Sequence, residues 1–108
     1  MTVVQTIDLI AVDPYVRSGR PYILGTTVTV SDVAIAKLYH DKDADGIADW
    51  YGLSLPQVYA ALAYYYEHKD EIDQEMRQQI TRAQLLRERR VGGVDQKVAN
   101  FSEKLATL

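Results

Sequence analysis

Residues 43–62 read Asp43-Ala44-Asp45-Gly46-Ile47-Ala48-Asp49-Trp50-Tyr51-Gly52-Leu53-Ser54-Leu55-Pro56-Gln57-Val58-Tyr59-Ala60-Ala61-Leu62, and the fold turns on this stretch. Two helices that cross steeply over a tight turn need a small residue at the crossing, a turn glycine, and apolar side chains locking both helices. Ala48 lies four residues before Gly52, which is placed to end the first helix in a left-handed conformation. Ile47, Val58, Ala61 and Leu62 supply an inward face, with Tyr51 and Leu53 flanking the glycine. Asp43 is the expected cap of a helix from about Ala44 to Tyr51, inside which Gly46 costs about 1 kcal/mol against alanine. Ser54 caps the next helix, and Pro56 falls in its first turn, where a missing N–H does no harm. The pattern is that of a helix-turn-helix. A helical hairpin with the same turn chemistry and no role at DNA is the alternative.

Upstream, Ser31 is the expected cap of a helix over 31–39, with Asp32 at its positive end. Residues 1–30 read as β-rich: Tyr22-Ile23-Leu24 and Val28-Thr29-Val30 are short strand-forming runs separated by Gly25-Thr26-Thr27, a length that suits a hairpin. Downstream, no glycine or further proline interrupts residues 57–90, and Gly92-Gly93 ends the helical pattern. A short helix over 94–108 would place Val98, Phe101 and Leu105 on one side. The fold class is therefore mainly α: a small N-terminal β-hairpin, a helix-turn-helix of homeodomain-like or winged-helix-like form, and a long C-terminal helix. Residues 1–76 form the expected domain, and 77–108 a basic helical extension and tail.

The chain has 108 residues with 47% hydrophobic and 25% charged, an ordinary globular balance that suits one domain. Its net charge of −3 opposes nucleic-acid binding globally, so DNA contact requires a local basic patch. Having no cysteine, it forms no disulfide, thiolate metal site or cysteine nucleophile. The start lacks a basic leader with a long apolar stretch, and no run approaches membrane-spanning length, so the expected location is the cytoplasm with no membrane partner.

In a DNA-bound helix-turn-helix, the start of the second helix faces the bases. There Gln57 is suited to reading adenine, and Ser54 and Tyr59 to touching phosphate or base. No Lys or Arg occupies the first two turns, leaving Arg17 and Arg20 as the candidate backbone contacts.

Asp13-Pro14, Gly19-Arg20-Pro21-Tyr22-Ile23-Leu24-Gly25-Thr26, Tyr51-Gly52-Leu53 and Ala60-Ala61-Leu62-Ala63-Tyr64-Tyr65 resemble the bacterial domain of unknown function 433 family over residues 7–75. The resemblance implies a homeodomain-like helix-turn-helix protein and an antitoxin of VapB-like toxin–antitoxin pairs, with double-stranded DNA and a cognate toxin as partners. The chain departs from the family at Thr27, where arginine is common, and at the acidic connector 41–45.

Other constellations carry less. Asp41-Lys42-Asp43-Ala44-Asp45-Gly46 imitates the opening of an EF-hand, but Gly52 stands where a bidentate glutamate is needed. His68, with Glu71, supplies two ligands from one water-facing helix, too few for a metal. No catalytic set, metal site or cofactor motif is visible.

Val58, Leu62, Tyr65, Lys69, Ile72, Met76 and Ile80 form a heptad-like stripe, interrupted only by Lys69. An unbroken helix over 55–90 would be about 54 Å long, against a radius of gyration of about 13 Å for a compact domain of this size. It must bend, project or lie along a second copy. An independent helix beginning near Asp70 is the alternative. Acids Glu67, Asp70, Glu71, Asp73 and Glu75 precede bases Arg77, Arg82, Arg87, Arg89 and Arg90, which suits a homodimer of antiparallel helices about Met76. The same polarity also suits the macrodipole of a single helix. Expected interface residues are Tyr66, Ile72, Met76, Ile80, Leu85 and Leu86, with the segment from Leu85 onward a candidate partner-binding arm. The function expected from these readings is an antitoxin-like, DNA-binding transcriptional regulator. The alternative is a homodimeric protein–protein interaction module that does not bind DNA.

Overall fold

A computed structural model describes residues 1–91, with side chains through Arg87, together with Lys104 and Leu105. The elements in order are β1 (Ile10–Ala11), β2 (Tyr22–Ile23), α1 (Val30–Leu38), α2 (Ala44–Tyr51), α3 (Leu55–Glu67) and α4 (Lys69–Val91). The chain is thus mainly helical, with a two-stranded antiparallel hairpin at its N-terminal end and a long last helix.

The hairpin differs from the expected one. The Gly25 turn forms, with the Thr26 N–H donating to the Ile23 carbonyl at 3.0 Å and the Ile23 N–H to the Val28 carbonyl at 2.8 Å. Only Thr29 then bridges back, to Tyr22. The strand partner of β2 is instead β1, with Ile10 opposite Ile23 and Ala11 opposite Tyr22. Val28–Val30 cannot continue as a strand because Thr29 is the cap of α1. Its side chain accepts from the Asp32 N–H while the Asp32 carboxylate accepts from the Thr29 N–H, satisfying two orphan donors reciprocally. Ser31, the expected cap, is buried two residues further in and shares a hydrogen bond with the Thr29 hydroxyl at 3.0 Å.

Arg17, Ser18 and Gly19 make a single turn at φ of 46°, 58° and 77°. Two of these residues carry side chains and are strained there. The Arg17 guanidinium holds the turn down by donating to the Thr27 carbonyl (2.7 Å) and to the Asp32 carboxylate (3.1 Å).

The core gathers Ile23 of β2, Val30, Val33, Ala34 and Leu38 of α1, Ile47 of α2, and Val58, Ala61, Leu62 and Tyr65 of α3. Ile72 and Met76 of α4 and Leu105 of the tail complete it. Val98 and Phe101, expected beside Leu105, lie outside the described residues.

Of the two readings of 55–90, one helix or a second one beginning near Asp70, the structure has the second: α4 begins at Lys69, after a break at His68, whose backbone sits at φ −120°, ψ 37°. Its N–H straddles the Tyr64 and Tyr65 carbonyls at 3.0 and 3.2 Å, and its carbonyl accepts the Ile72 N–H that starts α4. Neither glycine nor proline causes this break. Its cause is burial: the turn lets Ile72 and Met76 fold into the chain's own core and brings Asp73 beneath Tyr65. The stripe from Val58 to Met76 is accordingly an inward face of one molecule and not a seam between two copies. His68 is half-buried, not on a water-facing surface, and its ring stacks on Tyr64 with centroids 4.0 Å apart.

Asp73 is the buried polar centre of this packing. It accepts from the Tyr65 hydroxyl at 2.6 Å and from Lys69 Nζ at 2.5 Å, and Lys69 also reaches the Leu105 carbonyl at 3.4 Å. Burial, then the hydrogen bond and negative charge of Asp73, push the Tyr65 hydroxyl far above the ordinary tyrosine range. Lys69, which interrupts the apolar stripe in sequence, neutralises that carboxylate in space. The expected division at residue 76 falls inside α4, where burial changes but the helix does not stop. Among the described residues, no helix is long and apolar enough to cross a membrane.

Candidate interaction surface

The junction of α2 and α3 follows from its local chemistry. The Asp43 side chain accepts from the Gly46 N–H at 2.8 Å and opens α2. Gly52 closes it at φ 67°, ψ 40°, a conformation that costs glycine little, and the Leu53 N–H returns to the Ala48 carbonyl at 2.9 Å. Leu53 drops into the core, and Ser54 opens α3. Ala48 packs partly buried against the cluster that contains Val58. This arrangement aims the start of α3 outward, with Ser54, Leu55, Pro56 and Tyr59 exposed.

The residues expected to read DNA are placed as follows. Ser54 and Gln57 occupy each other: the Ser54 hydroxyl accepts from the Gln57 backbone N–H, and the Gln57 side-chain Oε1 accepts from the Ser54 backbone N–H at 2.8 Å. Gln57 could offer both amide atoms to an adenine only by giving up this capping box. Arg20 donates to the Arg17 carbonyl at 3.1 Å and to Gln79 of α4 at 3.4 Å. It lines a cleft with Ser18, Glu75, Gln78 and Arg82, whereas Tyr59 lines another. Arg17 and Arg20 thus act as internal staples and are not gathered with Tyr59. The outer side of α2 exposes Asp43, Asp45 and Asp49. Lys42 lies over the Trp50 ring, 4.2 Å from its centroid.

What α3 does expose is apolar and aromatic. Leu55, Tyr59 and Tyr66 are 41%, 58% and 52% accessible. Beside them runs a groove of about 560 Å³ between the N-terminal segment and α3, lined by Ile7, Asp8, Ile10, Pro56, Tyr59, Ala60, Ala63, Tyr64 and Glu67. Among the described residues, this lining has two carboxylates and no cation. The field at its far end is negative too: burial first, then Glu71, Glu75 and Glu67, raise the Tyr64 hydroxyl above its ordinary range.

Of the expected interface residues, Tyr66, Leu85 and Leu86 are exposed, Ile80 is partly buried against the core, and Ile72 and Met76 are inside it. In this packing the last two have no surface to offer a second copy. The sequence places Pro56 in the first turn of α3, Ala60 and Ala63 in the family-like motif and Glu67 in the acidic run, but does not bring them together with Ile7 as one groove. The signal was there in Pro56, Tyr59, Ala60 and Ala63, at three- and four-residue spacing opposite the Val58–Leu62 face.

The family model described as "Protein of unknown function (DUF433)" matches residues 10–65, slightly more than half of the chain. The chain belongs to the DUF433 family. No curated protein and no solved structure matches it. The DUF433 match begins at β1 and ends at Tyr65, so it takes in the hairpin, α1, α2 and most of α3, and stops before α4.

Proposed function

We propose that this DUF433 protein is a non-enzymatic, antitoxin-like regulator whose working surface, the outer face of α3, binds protein. The observation that supports this reading most directly is the chemistry of that face: exposed Leu55, Tyr59 and Tyr66 beside a groove that has no cation among the described residues. Tyrosines suit protein interfaces because the ring buries apolar area while the hydroxyl keeps a polar partner. DNA affinity comes largely from neutralised phosphates, and the exposed Asp43, Asp45 and Asp49 of α2 would meet phosphates with like charge.

A second reading, a DNA-binding transcriptional regulator built on a helix-turn-helix, draws on the Gly52 turn and the exposed start of α3. The two readings separate in paired titrations. In one, the chain is titrated with duplex DNA from upstream of its own gene and with a scrambled duplex. In the other, it is titrated with the product of the neighbouring reading frame as candidate toxin. Protein binding that is lost in Tyr66→Ser/Ala63→Glu, with equal and weak binding of both duplexes, is the expected result. Upstream DNA bound at least about tenfold tighter than scrambled, and unaffected by those changes, would establish the second reading instead.

A further inference from the structure

We propose that the α3 groove is the seat for the distal half of α4 from a second copy of this chain, the two copies exchanging these arms about a two-fold axis. This rests on reading the outer face of α3 as a protein-binding surface, and it names the occupant.

Charge carries the first part of the argument. The groove is apolar along Ile10, Ala60 and Ala63 and carries the carboxylates of Asp8 and Glu67, with no base in its lining among the described residues. Glu67 also ends α3, where the helix dipole adds negative potential. The matching ligand is an amphipathic segment with apolar side chains and bases. The exposed stretch of α4 after Met76 has that composition: Leu85 and Leu86 are 54% and 57% accessible, and Arg77 and Arg82 are exposed. Arg77, Thr81, Arg82 and Leu85 together line one shallow patch on that helix.

Length and geometry carry the second part. Residues 77–91 span about 22 Å as a helix and α3 about 20 Å, so the arm and its seat match in length. An arm cannot reach its own seat. The chain turns at His68 so that α4 packs under the inward face of α3. Its distal part continues along a cleft where Ile80 and Ala83 meet Ile35 and Tyr51, on the α1 and α2 side and away from the outer groove of α3. Only another copy can supply the arm. Reciprocal exchange makes the same contact twice and closes the assembly, so no end is left to grow a filament.

The test uses the full chain and charge exchange. Sedimentation velocity at low salt is expected to show a dimer. Arg77→Glu/Arg82→Glu and, separately, Asp8→Arg/Glu67→Arg should each weaken association by about tenfold or more. Mixing the two variants should restore a heterodimer, because each carries the complement of the other. Circular dichroism checks that both remain folded. Since the chain has no cysteine, Ala63→Cys and Leu85→Cys copies offer a second readout: disulfides should form between 63 and 85 of different copies. A monomeric wild-type chain, dimers indifferent to both reversals, failed rescue, or exclusive 85–85 linkage would each overturn the proposal. So would an Arg77/Arg82 reversal that abolishes duplex-DNA binding while the dimer persists. If the arm fails but Tyr66→Ser/Ala63→Glu still abolishes binding of the neighbouring product, the inference falls alone and the reading of α3 stands.

Discussion

Within α4, Ile72, Asp73 and Met76 are buried while Thr81, Arg82, Leu85 and Leu86 are exposed, although both stretches are built from helix-forming residues. The proximal part is fixed by burial of its apolar face and by the Tyr65–Asp73–Lys69 network. The distal part is helical by propensity and by continuation of a helix already nucleated. The contrast separates two jobs of one helix. Before residue 77 it completes the fold. From there on Ile80 still packs against the core and Gln79 accepts from Arg20, while Arg77, Thr81, Arg82, Leu85 and Leu86 face the surroundings.

The sharpest way to break this contrast is a matched pair of truncations. Met76→Ala should lose about 2–5 kcal/mol in urea unfolding, because it leaves a cavity where Met76 is fully buried. Leu86→Ala, measured at concentrations where the chain is monomeric, should stay within about 0.5 kcal/mol. Equal losses would mean that the distal half belongs to the fold as well. Next in size is Lys69→Met, expected to cost roughly 2 kcal/mol because it leaves the buried Asp73 carboxylate with only the Tyr65 hydroxyl. In that variant, hydrogen exchange should speed up in the first turns of α4 more than in the last.

Ser54→Ala should cost about 1 kcal/mol through the lost cap of α3, leaving exchange in distal α4 unchanged. The smallest effect is expected at Glu75, near the divide. Burial, helped by Glu71 and opposed by Arg20, raises its carboxyl above the ordinary glutamate range, and one of its oxygens is buried without a hydrogen bond. The native state therefore holds this proton more tightly than the unfolded chain. Its stabilising contribution is complete below the ordinary glutamate range and is lost as pH rises through the raised native value. Glu75→Gln should raise the unfolding midpoint temperature slightly near neutral pH and leave it unchanged in acid. A drop at neutral pH would show that the charge contributes through Arg20.

Local signals in the sequence were the legible ones. Asp43, Gly52, Ser54 and Pro56 act within a few residues of themselves, and α2 and the start of α3 fall where those residues put them. Thr29 was hidden because a threonine in a β-branched run suits a strand and a cap equally, and only the Asp32 carboxylate three residues on decides. The break at His68 left no breaker residue to read, since tertiary burial of Ile72 and Met76 produces it. A stripe of apolar residues likewise reads the same whether it closes one molecule or joins two. The candidate site was half legible: Tyr59 and Tyr66 stood out, while the groove depends on Ile7 and Ile10 arriving from the other end of the sequence. Arg17 and Arg20 looked like surface cations because nothing nearby in sequence announces Asp32, Thr27 or Gln79 as their acceptors.

One buried carboxylate has a practical corollary. Asp73 holds Lys69, and Lys69 reaches the backbone of Leu105, itself 2% accessible, while Lys104 spans from the Leu38 carbonyl to Asp41. Trimming the chain before Lys104, or fusing a purification handle there, would strip Leu105 from the hydrophobic interior and its carbonyl from Lys69, the partner of Asp73. Met1, at the exposed opposite terminus, is the place to attach a handle or a dye.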